Sequence, residues 1–193
     1  LQPLFSPEKN QHCTHLKNAG GIHGAIKQVS ANKSHYQKIL KSDVWHYYES
    51  IDHDILLSHV AQLTDCKILL NLVMQYCQRL EIRDGEYYHF TRGIPKGCPL
   101  SPLMGALYLK PLDDALSTHG FYVRYMDDWV VMVKTKRQLR KVIKLTYKIL
   151  KQLKLKMHPD KTFLGCIKKG FDFLGVHFGD TPEISKPSLE KHR

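Results

Sequence analysis

The sequence has no pair of cysteines spaced C-x-x-C, and its five cysteines (Cys13, Cys66, Cys77, Cys98 and Cys166) are odd in number. That argues against a zinc cluster and against a disulfide framework, and leaves reduced thiols in a cytoplasmic protein as the expectation. The twelve histidines contain no H-E-x-x-H pattern, so the common metalloprotease signature is absent too. No apolar run approaches the roughly 20 residues of a membrane-spanning helix, and no membrane partner is expected. The N-terminus lacks a basic stretch followed by an apolar core, so no secretion signal is expected. An initiator Met is also lacking, and the opening Leu1-Gln2-Pro3 reads as the start of a piece of a longer protein. Neither repeats nor low-complexity tracts occur. Acidic residues are scarce: 18 Asp and Glu against 29 Lys and Arg leave a net charge of +11. Such an excess favours an anionic partner, most often nucleic acid.

What is present is the balance of an ordinary globular protein, 42% hydrophobic and 24% charged, in a length that suits one compact domain. Residues 7–35 are polar, with Gly20, Gly21 and Gly24, and read as a loop leading into a short helix near 25–30. Residues 37–48 read as a strand with Asp43 inside it, although Asp is depleted in strand interiors. Helices are expected over 52–62, with Asp52 or Asp54 near the start, and over 65–80. Asp84-Gly85 signals a hairpin between two short strands. Residues 91–102, with two Gly and three Pro, read as a loop before a helix over 103–118 that stops at Gly120.

Strands over 121–126 and 129–133 flank a tight turn at Asp127-Asp128. Residues 136–154 form an amphipathic helix with Leu139, Val142, Ile143, Leu150 and Leu153 on one face. Its other face, which includes Arg137, Arg140, Lys141, Lys144, Lys148 and Lys151, reads either as solvated surface or as a set of phosphate contacts. Apolar strands over 162–167 and 171–178 close the chain. This order predicts an α+β fold, an antiparallel sheet with helices packed on one face.

The sharpest feature is Tyr125-Met126-Asp127-Asp128 between two apolar strands. Neighbouring residues of a flat strand point to opposite faces, so two adjacent carboxylates serve one site only where a turn reorients them. Crowded carboxylates repel, and a hard divalent cation such as Mg²⁺ offsets that repulsion. An ordinary acidic surface turn is the alternative, and the apolar flanks Val123 and Trp129-Val130-Val131 argue against it by placing the tip at the rim of a buried sheet. Asp43 is either a water-facing edge carboxylate or, if its strand lies beside the hairpin, the third member of a two-metal site.

With these residues in view, the chain resembles a bacterial retroelement-type reverse transcriptase of the group II intron and retron kind. The segments that carry the resemblance lie in the family's order. They are 43–53 (DVWHYYESIDH), 93–102 (GIPKGCPLSP), 125–128 (YMDD), 158–162 (HPDKT) and 173–175 (FLG). The resemblance implies a polymerase palm with partial fingers. Residues 1–36 would be a remnant of the fingers, 37–53 palm, 54–97 a fingers-like segment, 98–180 palm, and 181–193 the start of a thumb.

The implied activity is RNA-directed DNA synthesis on an RNA template, from a DNA or RNA primer and dNTPs, with Mg²⁺ (or Mn²⁺) as cofactor. Asp43, Asp127, Asp128 and the Val44 carbonyl would be metal ligands, and Tyr48 a sugar gate that excludes a 2′-hydroxyl. Lys96 and Gly97 would meet the nucleotide, Lys96 standing where the family usually has Gln. Lys161 would protonate leaving pyrophosphate or touch a phosphate. As alternatives, Tyr48 reads as a core aromatic and Lys161 as an exposed lysine. An RNA-templated or untemplated nucleotide polymerase shares this chemistry, and a non-catalytic, maturase-like nucleic-acid-binding protein shares the fold.

Overall fold

The computed structural model describes residues 12–185. The first half runs α1 (Gly21–Asn32), β1 (Lys38–Ser42), α2 (Tyr47–Ser50), α3 (His53–Ala61), α4 (Lys67–Cys77), β2 (Leu80–Arg83) and β3 (Glu86–His89). The second half runs α5 (Ser101–Tyr108), α6 (Lys110–Ser117), β4 (Phe121–Tyr125), β5 (Asp128–Val133), α7 (Lys136–Gln152), β6 (Phe163–Cys166), β7 (Asp172–Phe173), β8 (Val176–Phe178) and β9 (Pro182–Ile184).

A four-stranded antiparallel sheet in the order β4-β5-β1-β6 organises the fold. Strand β5 is apolar on both faces because both are covered. Trp129, Val131 and Val133 join Leu40 and the helical layer that contains α3, α5, α6 and α7. Val130 and Met132 join Ile39, Val123, the Ala25 and Val29 side of α1, and Phe173 and Phe178 of the small β7-β8-β9 sheet. The expected helical layer on one face is present; the cover over the second face is what the sequence had left unassigned. Each fully buried large apolar side chain contributes about 1.5–3 kcal/mol, and this two-sided burial holds β5 rigid.

Three local expectations shift. Strand β1 ends at Ser42, so Asp43 lies just beyond it, and residues 47–48 belong to α2. The helix expected over 103–118 is two, α5 and α6, broken at Leu109. Pro111 has no N–H for the Leu107 carbonyl, and its ring crowds that carbonyl. The last strand is broken by a turn at Leu174 (φ 48°) and Gly175 (φ 80°) into β7 and β8. By contrast, Asp52 caps α3 as expected, accepting from the Ile55 N–H at 3.2 Å. Residues 1–11 of the expected fingers remnant and 186–193 of the expected thumb start lie outside the described residues.

One buried ion pair ties the helical layer to the sheet. Arg124 of β4 and Asp113 of α6 are 0% and 1% exposed, and the guanidinium donates to the carboxylate through Nε (2.7 Å) and Nη2. The Tyr122 hydroxyl donates to the same carboxylate at 2.6 Å. Removing one partner strands a charge in the core. Asp113→Ala is therefore expected to lower unfolding stability by about 3–5 kcal/mol. Urea denaturation checks this, and a loss below about 1 kcal/mol would contradict the role given to the pair.

Candidate active site

The site is built on the β4–β5 hairpin. Tyr125 pairs with Asp128, so the two turn residues are Met126 and Asp127, one position earlier than the sequence suggests. Met126 takes a left-handed conformation (φ 54°), which costs a non-glycine residue on the order of 1 kcal/mol. Hydrogen bonds hold it from both sides: Arg124 Nη1–H donates to its carbonyl at 2.6 Å, and its own N–H donates to His15 Nδ1 at 2.9 Å.

His15 in turn donates through Nε2–H to the Pro102 carbonyl at 3.0 Å, which fixes its tautomer. Burial pushes its pKa down to about 4, so it stays neutral and Nδ1 remains an acceptor. His15 reaches the tip because residues 12–14 run along the outer edge of β4. The Arg124 N–H donates to the His12 carbonyl and the Thr14 N–H to the Arg124 carbonyl, both at 2.8 Å. Nothing in the residues signals this contact, since a lone His in a polar stretch carries no periodic pattern.

The first carboxylate comes from the neighbouring strand. Ser42 lies opposite Trp129, so Asp43 emerges beside the hairpin tip. The His158 N–H donates to the Asp43 carbonyl (2.8 Å) and the Trp45 N–H to the Lys156 carbonyl (2.9 Å). These bonds flank the Val44–Met157 pair and leave the Val44 carbonyl outside the ladder. Lys161 Nζ donates to Asp43 Oδ2 at 2.9 Å. Its loop is braced by the Thr162 hydroxyl, 2.6 Å from the His158 carbonyl and 2.8 Å from Ser42 Oγ.

Asp43, Val44, Tyr48, Lys96, Asp127 and Lys161 are among the walls of one cavity of about 300 Å³. Asp128 is not among them. Strand alternation turns it to the face of Val130 and Met132, where Lys41 Nζ lies 3.5 Å from its Oδ1. That oxygen is buried and has no hydrogen-bond donor.

The electrostatics show a site short of positive charge. Burial, then the Asp43 carboxylate, pushes the Asp127 carboxyl up. Burial pushes Asp128 up to about 6, with Lys41 opposing and Asp43 and Asp127 adding to the rise. A hydrogen bond to Asp43 raises the already basic Lys161, which stays protonated at neutral pH. Asp43, Asp127 and the Val44 carbonyl are hard oxygen donors that could hold a divalent cation, with Asp128 in electrostatic reach of both carboxylates. Among the described residues, no three His, Cys, Asp or Glu side chains converge into a ready-made metal cage.

The remaining expected residues lie around the cavity mouth. The half-buried Tyr48 packs closely on α5, where a Cβ at Gly105 would come 3.0 Å from its Cε1 and press on the ring. The Tyr47 hydroxyl anchors the same helix by donating to the Gly105 carbonyl. Lys96 donates to Glu49 Oε1 at 2.6 Å, and Glu49 Oε2 lies 2.8 Å from His46 Nδ1. The Lys96 contact, then His46, holds Glu49 below the usual carboxylate range. Gly97 is not among the walls of this cavity; its φ of 79° favours glycine, and beyond its chain neighbours no atom lies within 4 Å of where a Cβ would be. The loop leading to α5 is closed by Ser101 Oγ, which donates to the Pro95 carbonyl and accepts from the Tyr76 hydroxyl at 2.6 Å.

A four-stranded antiparallel sheet that presents an acidic hairpin tip beside a strand-end carboxylate is a nucleic-acid polymerase palm. The family model described as "Reverse transcriptase (RNA-dependent DNA polymerase)" matches residues 2–178, and the chain belongs to that family. Protein YkfC of Escherichia coli is 21% identical over 241 aligned residues, covering 100% of this chain and 63% of that protein. An uncharacterised 91 kDa protein in a cob intron of Schizosaccharomyces pombe is 20% identical over 114 residues, covering 59% of this chain and 14% of that one. The chain thus spans less than two thirds of either relative.

Among solved structures, telomerase from Candida albicans in complex with a fragment of telomeric RNA superposes with a TM-score of 0.74 at 14% identity. It covers 92% of this chain and 36% of that one. Apo telomerase from Candida tropicalis gives 0.62 at 13% identity, covering 83% of this chain and 35% of that one. These likenesses establish the fold.

The raised Asp128 sets a stability trade. A carboxyl whose folded pKa lies above its ordinary 3.8 stabilises the fold below about pH 4 and loses that contribution as pH rises through about 6. Asp128→Asn is therefore expected to stabilise the metal-free protein at pH 8 by on the order of 2 kcal/mol and to leave it little changed at pH 4. Urea denaturation in chelator at both pH values measures this; an Asn variant less stable than wild type at pH 8 contradicts it.

Proposed function

We propose that the protein adds deoxynucleotides to the 3′ end of a DNA or RNA primer, copying an RNA template, by two-metal phosphoryl transfer. The observation that carries this reading is the convergence of Asp43 and Asp127, from separate elements, on one cavity with Tyr48 and Lys161. Membership of the reverse transcriptase family supports the RNA template and the dNTPs.

In this reading Asp43, Asp127 and the Val44 carbonyl hold Mg²⁺ (or Mn²⁺), with Asp128 completing the charge. Cations bound there would supply activation of the primer hydroxyl and neutralisation of the triphosphate. Tyr48 lies under the incoming sugar and excludes a 2′-hydroxyl. Lys161, which reaches Asp43 with its Nζ, would deliver its proton to the leaving pyrophosphate. Lys96, released from Glu49, meets a phosphate, and Gly97 lets the chain approach the nucleotide or template. The domain scheme of fingers remnant, palm and thumb start belongs to the same proposal.

Primer extension by the full-length parent protein, on an RNA template with Mg²⁺ and dNTPs, tests this. Wild type is expected to make DNA product, Asp127→Ala none, and Lys161→Gln product at a rate reduced about 10²-fold or more. Product with ribonucleotides alone would replace the proposal with an RNA polymerase. Template–primer binding with no product from either nucleotide class would leave a non-catalytic binder. Separately, Tyr48→Ala is expected to admit ribonucleotides, read as a fall of at least tenfold in the ratio of dNTP to rNTP incorporation. An unchanged ratio removes Tyr48 from the gate.

A further inference from the structure

The cations of α7 are more than that helix needs. It carries seven Lys and Arg and no Asp or Glu, and begins with Lys136 and Arg137, at the end where the helix dipole disfavours positive charge. At 100° per residue, Arg137, Arg140, Lys141, Lys144, Lys148 and Lys151 fall within one stripe opposite the buried Leu139, Val142, Ile149 and Leu150. All six are exposed, and several stand as like-charge neighbours at i,i+4, which weakens a helix. No ion pair among the described residues involves them. Solubility does not call for such a single-sign row; an anionic occupant does.

The stripe also leads somewhere. Strand β5 runs away from Asp128, and α7 runs back, so Lys151 lies at the catalytic end and Arg137 about 21 Å along the helix from it. A shallow groove lies along Arg137, Arg140, Lys141 and Lys144. Tyr147, 59% exposed, stands on the edge of the stripe and lines the next depression with Lys151, Lys154 and Lys156. Lys154 and Lys156 are shared with a third depression that contains Arg92 and the exposed Trp45. Trp45, His46 and Glu49 are shared in turn with the catalytic cavity. Common lining residues join the Tyr147 depression to the catalytic cavity, and the groove along Arg137 to Lys144 precedes it on the same helix face; exposed aromatics between cations are the features that hold unpaired bases and their phosphates.

We propose that the outer face of α7, continued through Tyr147, Lys156 and Trp45 to the rim of the cavity, binds an unpaired segment of RNA outside the template–primer duplex. The cations take the phosphates, and Tyr147 and Trp45 stack on bases. The choice of RNA over DNA rests on the RNA-copying reading above; the cationic, aromatic path does not.

Fluorescence anisotropy with an unstructured 20-nucleotide RNA, over a series of salt concentrations, tests it in an Asp127→Ala background of the full-length protein, where no synthesis intrudes. The variant Arg140→Gln, Lys141→Gln, Lys144→Gln, Lys148→Gln is expected to bind at least tenfold more weakly at low salt. Its slope of log affinity against log salt should fall by about 0.7 per cation removed. Tyr147→Ala is expected to weaken binding at least fivefold with the slope unchanged. In a catalytically intact background, both variants are expected to extend a short pre-annealed template–primer at the wild-type rate.

Photocrosslinking of a 4-thiouridine RNA to the unaltered surface needs no variant to fold, and is expected at Tyr147 or Trp45. Unchanged affinity and slope, or crosslinks confined to other segments, overturn the proposal. So does an equal loss for single-stranded DNA of the same sequence, which marks a patch for any polyanion. If extension fails while these binding results hold, the polymerase reading falls and the RNA path stands.

Discussion

The pairing of β1 with β5 is the constraint on which the site depends. Ser42 opposite Trp129 fixes where Asp43 leaves the sheet, and that point is the rim beside Asp127. A slip of one residue would turn every side chain of β1 to the other face, exchanging Ile39 and Leu40 between the two apolar layers and carrying Asp43 away from the hairpin. The register is defended because β5 is buried on both sides, its neighbours β1 and β4 complete two separate apolar layers, and Arg124–Asp113 fastens β4 to the helices.

The same rigidity supports a turn that would otherwise relax. Met126 sits in a left-handed conformation with its carbonyl held by Arg124 and its N–H by His15. A neighbour two positions away and a histidine 111 positions away thus hold the two sides of one residue, and Asp127 follows it directly. Burial, with Asp43 adding to it, raises the Asp127 and Asp128 carboxyls, and one Asp128 oxygen is left without a donor. Such a cluster opposes folding, and it persists because the surrounding layers over-determine its position. Lys161 on Asp43 and Lys41 beside Asp128 soften the repulsion without satisfying it.

Much of this was legible in the residues. The Asp84-Gly85 hairpin, the Asp52 cap and the amphipathic α7 follow local rules and are formed as expected, and the motif order pointed to the family and to the α+β class. What was not legible depended on partners far away in sequence. The break at Leu109 was signalled by Pro111, but the apolar periodicity around it masked the signal. The second cover of the sheet, by α1 and β7–β9, leaves no pattern in β5, since a strand buried on both faces is simply apolar throughout.

The sequence by itself determined most of the strands and helices, the acidic tip and the basic excess, because periodicity, turn chemistry and charge are properties of neighbouring residues. Only the tertiary structure decided which carboxylates share a cavity. Asp43 and Asp127 do, whereas Asp128 faces Lys41 across the sheet, because strand alternation resumes as soon as the turn ends. Only the tertiary structure brought His15 to the Met126 N–H, a contact between residues that share no local pattern. It likewise aligned the α7 cations with Tyr147 and Trp45 on one path, since their common direction depends on how α7 folds back against β5.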